Sequence, residues 1–178
     1  GTAFGAMAAV FHILNHATFK AALFMSAGIV DHEAHTRDIR RLGGLRTLMP
    51  VTFMIVLLAA LSMAGIPLLN GFLSKEMMLE EANHTVLFNS TWYVPVQATV
   101  GSLFSAAYCF RLISHTFFGP VRDDYPAKPH DPPAGLWLPP ALLIIPVVVI
   151  GTAPFLAEPF VKLVTASVLG GAADMPSA

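Results

Sequence analysis

Apolar runs long enough to cross a bilayer alternate with short polar connections along the whole chain. The first run covers residues 3–30 and gives way to a polar stretch, 31–47, in which Gly43 and Gly44 mark a turn. The second covers residues 50–82 but is interrupted by Pro67, Asn70 and Gly71, after which Lys75, Glu76 and Glu80 enter the pattern. Proline removes a backbone donor and glycine tolerates unusual dihedrals, so this run reads as a discontinuous membrane helix, with Ser74 available to cap its second half. The third, 93–118, stops at Gly119 and Pro120. The fourth, 136–156, carries Pro139, Pro140, Pro146 and Pro154 and is expected to bend. Residues 157–178 are expected to form a short interfacial helix around 160–169 and then to fray. The predicted fold is therefore all-α, a polytopic transmembrane helix bundle of about four spans, with the membrane domain over residues 1–156.

Composition sharpens this picture. Of 178 residues, 55% are hydrophobic and 12% charged, where a soluble domain carries about 25% charged residues. The chain reads as an integral membrane protein. A net charge of -1 with no basic or acidic run removes nucleic acid as a partner class. The single cysteine, Cys109, excludes an intrachain disulfide and a cysteine-rich metal site. The apolar pattern begins at once after Gly1, with no targeting segment, which reads as an internal or truncated piece of a larger protein. Four arginines lie in the first connection and two basic residues in the third, against none in 83–92; the positive-inside rule then puts loops 31–48 and 119–135 in the cytoplasm.

The candidate chemistry starts in the first run. His12, His16 and Lys20 recur every four residues, which stacks them on one helix face over about 12 Å. Ionisable groups at membrane depth face a bundle interior or a polar pathway, and imidazole accepts a proton on one nitrogen while donating from the other. A proton path is one reading of this face. Interhelical hydrogen bonding for the histidines and a static ion pair for Lys20 are the others. The H-x-x-x-H spacing has no carboxylate or thiolate beside it on the helix, so no metal and no cofactor is expected. The run His32, Glu33, Ala34, His35 is one residue short of a metalloprotease pattern and reads as loop polarity. Lys75, just past the break, is either a second proton carrier or a side chain reaching to the interface with Glu80 and Glu81. Glu76, and Arg111 with His115 near the end of the third run, are accessory candidates. The latter pair also suits an interfacial anchor.

The run FHILNHATFKAALFMSAGIVDHEAHTRDIRRLGGL, followed by AGIPLLNGFLSKEMMLEEA, resembles the antiporter-like subunits shared by respiratory complex I and the Mrp multisubunit cation/proton antiporters. With the later F-F-G-P and D-P-P-x-G-x-W-x-P-P motifs, it is most similar to the large A subunit of the Mrp type, over about residues 4–156. The resemblance implies a core of fourteen helices with two inverted repeats, each containing a broken helix, of which this chain supplies the eleventh to fourteenth. It also implies that His12, His16 and Lys20 are polar central-axis residues and that Lys75 is the key lysine of a broken helix. The implied function is the proton-conducting part of a sodium/proton antiporter, a secondary transporter rather than an enzyme, in the cell inner (plasma) membrane. Its implied partners are other membrane subunits, the preceding helices of its own polypeptide, the lipid bilayer, and Na+ and H+ as transported ions. Two alternatives stand beside it: a proton-pumping membrane subunit of an NADH:quinone oxidoreductase, and a non-transporting membrane scaffold.

Overall fold

The computed structural model describes residues 2–171, which form helices and no strand. The first helix, α1 (Ala3–Ala34), is capped by Thr2, whose hydroxyl accepts from Gly5 N at 2.8 Å. It continues past residue 30 because its last turn is tied down: buried Glu33 pairs with His32 at 3.0 Å and with His130 at 2.7 Å. His35, at φ 51°, ends the helix in the left-handed conformation. The expectation that this His-Glu-Ala-His run is loop polarity is corrected here, since Glu33 is a buried tie between α1 and a distant loop.

The connection that follows contains a one-turn 3-10 helix, Ile39–Arg41, and α2 (Leu45–Leu48). Asp38 opens that turn by accepting from the Arg40 guanidinium and backbone N–H, contacts that hold its carboxyl down at about 2. Next come α3 (Pro50–Ala64), a break, and α4 (Asn70–His84). At about 1.5 Å per residue each of these two helices is about 22 Å long, less than the hydrocarbon thickness, so neither is long enough to cross it alone. Helices α5 (Tyr93–Phe117) and α6 (Ala134–Thr152), like α1, are each long and apolar enough to cross a membrane. A turn at Pro154–Leu156 leads to α7 (Glu158–Val168).

Two apolar cores hold these elements. The larger joins α1, α3, α5 and α6 through Phe19, Ala59, Ala60, Phe117 and Val147, all buried. The smaller seats α7 on the first half of α1 through Met7, Phe11 and Val161. So α7 buries Val161 and Thr165 against protein and exposes Phe160 and Leu163. Part of the expected frayed end, residues 172–178, lies outside the described residues. The two loops that carry basic residues meet at one end of the bundle: Gly44 N donates to Phe118 O at 2.9 Å, and the Tyr125 hydroxyl donates to Gly43 O.

Candidate functional site

The break between α3 and α4 is where the polar side chains of the bundle converge. Helix α3 stops at Gly65, φ 88°, whose N–H returns to the carbonyls of Leu61 and Ser62. Leu68 adopts φ 72°, and Pro67 is exposed within the turn. Asn70 and Gly71 belong to the first turn of α4 and not to the break itself. Helix α6 lies directly across this backbone, with Gly151 so close that a Cβ there would sit 2.4 Å from Leu68 O.

Non-helical backbone inside a bilayer survives only where protein or water satisfies it. Here protein does. Asn70, fully buried, donates from Nδ2 to Asn15 Oδ1 at 3.1 Å and to Thr18 Oγ1 at 3.0 Å, and its carbonyl accepts from Asn15 Nδ2 at 3.1 Å. Ser62 Oγ donates to Asn70 Oδ1 at 2.8 Å and accepts from Gly71 N at 3.0 Å. The hydroxyl that satisfies the start of α4 is thus Ser62, from α3, and not Ser74. Ser74 sits one turn inside α4, donates to Gly71 O at 3.3 Å and lies 3.1 Å from His12 Nδ1.

Below this clamp the two lysines meet at one residue. The last carbonyls of a helix lack intrahelical partners and carry the negative end of its dipole. Lys75 Nζ donates to one of them, Met63 O, at 2.6 Å, and to Ser105 Oγ at 3.4 Å. Lys20 Nζ, coming from α1, reaches Met63 Sδ at 3.8 Å and Tyr108 OH at 3.4 Å. The aliphatic stem of Lys75 runs over Gly65, where a Cβ would lie 3.3 Å from Lys75 Cδ. Lys75 therefore turns into the bundle, not toward Glu80 and Glu81 at an interface.

The residues expected to form one face divide among different neighbours. His12 is half-buried against α4, Lys20 is half-buried against α3 and α5, and His16 is exposed, with its ring 5.8 Å from that of His12. Glu76 makes no ion pair with Lys75 among the described residues; it lines a cavity of about 320 Å³ with Glu80, Glu158 and Phe11. Arg111 and His115 are exposed and stand apart from the lysines, His115 lying 3.2 Å from Ser114 Oγ. Asn15, Ser62, Met63, Ser105 and Tyr108 were not among the expected residues. Asn15 was legible as a polar side chain inside an apolar run; Met63 was not, because it acts through its carbonyl and thioether.

Residues 1–105 match the family model described as NADH:quinone oxidoreductase/Mrp antiporter, TM. The chain belongs to this family. Among its members, a protein of Rhizobium meliloti (strain 1021) named as the probable A/B subunit of a K(+)/H(+) antiporter is 50% identical over 95% of this chain and 17% of its own length. The A subunit of the Na(+)/H(+) antiporter of Bacillus subtilis (strain 168) is 49% identical over 78% of this chain and 18% of its own. Among solved structures, the Mrp complex from Dietzia sp. DQ12-45-1b superposes with a TM-score of 0.73 at 35% identity, covering 94% of this chain and 18% of that one. The chain thus spans less than a fifth of the length of these relatives. The all-α bundle matches the fold of a membrane subunit of that complex.

Proposed function

We propose that this chain is the proton-conducting part of a multisubunit monovalent cation/proton antiporter, with protons carried by His12, His16, Lys20 and Lys75. The observation that carries the reading is the convergence of Lys20 and Lys75, from separate helices, on Met63 at the end of α3. Two charges about 8 Å apart interact by about 2 kcal/mol at an effective dielectric of about 20, enough for the protonation of one lysine to bias the other. Water bridges the remaining gaps, including the one between His12 and His16.

The cation is sodium or potassium. Relatives named for each are equally similar to this chain, which supports assigning it the proton side of the exchange and placing cation choice elsewhere in the assembly. The assembly sits in the cell inner membrane with loops 31–48 and 119–135 in the cytoplasm, and its other membrane subunits cover the exposed face that carries His16. Lys20→Ala and Lys75→Ala, each placed in the intact complex and assayed in vesicles, are expected to abolish cation-driven proton exchange. Unchanged exchange in both variants overturns the relay.

A second reading, a proton-pumping subunit of a quinone-reducing respiratory complex, is favoured by the breadth of the family itself, whose description joins both assemblies. Neighbouring genes separate the two: small antiporter subunits support the first, and flavin or iron-sulfur subunits the second.

A further inference from the structure

Helix α5 contributes no lysine, carboxylate or histidine at the depth of the break, yet it touches both lysines. Ser105 and Tyr108 stand three residues apart and so share one helix face. The Tyr108 hydroxyl donates to Met63 Sδ at 2.9 Å and accepts from Lys20 Nζ at 3.4 Å. The Ser105 hydroxyl donates to Met63 O at 3.4 Å and accepts from Lys75 Nζ at 3.4 Å. Each hydroxyl thus joins one lysine to the same methionine. The Lys20 ammonium also lies over two aromatic rings, 5.4 Å from the centroid of Phe24 and 5.8 Å from that of Tyr108.

We propose that Tyr108 is a positioning residue for the proton relay: with Ser105 it holds the Lys20 and Lys75 ammonium groups on opposite polar atoms of Met63, fixing the separation of the two charges. This rests on the relay reading. An unrestrained lysine has several rotatable bonds, and repulsion between two cations drives them apart. The hydroxyls oppose that separation, because a phenol fixed on the thioether offers the ammonium an acceptor only on the Met63 side. Among the ionisable groups, Lys20 from α1 contacts Tyr108, Lys75 from α4 lies near the adjacent Cys109 thiol, and Arg111 follows one turn on along α5, while α3 presents uncharged Met63.

The test uses the complete complex in vesicles, with exchange rates normalised to assembled protein and measured across pH. Tyr108→Phe keeps the ring and removes the hydroxyl. It is expected to slow exchange about tenfold, the worth of one hydrogen bond to a charged group, and to displace the pH of half-maximal exchange. Ser105→Ala is expected to act in the same sense with a smaller effect, and Tyr93→Phe, remote from both lysines, to match the wild type. A wild-type rate and pH profile in Tyr108→Phe, with Lys20→Ala and Lys75→Ala inactive, overturns the positioning role and leaves the relay standing. Active lysine variants overturn the relay itself. Should Tyr108→Phe fail to assemble, Ser105→Ala decides: an unchanged normalised rate and pH profile overturns the proposal.

Discussion

A Cβ at Gly71 would lie 2.0 Å from the carbonyl oxygen of Ser62, so α3 and α4 approach each other through a glycine that no other residue can replace without moving backbone. The same contact lets Gly71 N reach Ser62 Oγ and lets Asn70 enter the clamp with Asn15. Gly71→Ala is therefore expected to destabilise the membrane bundle by about 1–3 kcal/mol or more, through forced displacement of packed backbone. Thermal unfolding of the purified complex, followed for this polypeptide, checks it. A transition unchanged from wild type contradicts the close approach.

Asp131 acts on the first turn of α3, 80 residues before it in sequence at Val51. Its carboxylate accepts from Val51 N at 2.9 Å, Thr52 N at 3.0 Å and Thr52 Oγ1 at 2.8 Å, taking over the N-capping that Met49 has no side chain to provide. Asp131→Ala is expected to cost about 1–2 kcal/mol, as loss of an N-cap does, and Asp131→Asn less. The measurement is hydrogen exchange at the first turn of α3, which should quicken in the alanine variant. Equal protection in both proteins argues against the cap.

Tyr125 links the two loops that carry basic residues, accepting from Gly43 N at 3.1 Å and donating to Gly43 O. Burial raises the phenol above its ordinary value of 10.0. The folded value exceeds the unfolded one, so the contribution is complete below about pH 10 and is lost as pH rises through the folded value. Protection of the Gly43 amide is expected to persist through neutral and mildly alkaline pH and to fall only beyond that, whereas Tyr125→Phe should lower it throughout the range in which the wild type is protected. Loss of protection in the wild type well below pH 10 would show that the clamp does not depend on the phenol.

Much of this fold is legible in the residue pattern. The long apolar runs predict α1, α5 and α6 within a few residues, because a bilayer-crossing helix satisfies its own backbone and needs only length and apolar composition. Pro67 locates the interruption for an equally local reason, a missing donor, whereas Asn70 and Gly71 turn out to start the next helix. His12, His16, Lys20 and Lys75 stand out in the sequence because charge at membrane depth is costly wherever the helix ends up.

Partnership was not legible. A four-residue spacing puts His12, His16 and Lys20 on one face, but which neighbour that face meets depends on how α1 is rotated against α3, α4 and α5. In the folded bundle His12 meets Ser74, Lys20 meets Met63 and Tyr108, and His16 faces outward. Glu33 read as loop polarity because its partner His130 lies almost a hundred residues on. The sequence by itself determined where helices run, where one of them breaks and which groups are costly to bury, since these follow from backbone chemistry and local spacing. Only the tertiary structure decided that the carbonyl freed by the break would face Lys75, and that α5 would bring Ser105 and Tyr108 to the same methionine. Those contacts are set by helix rotation and close packing, which no local pattern encodes.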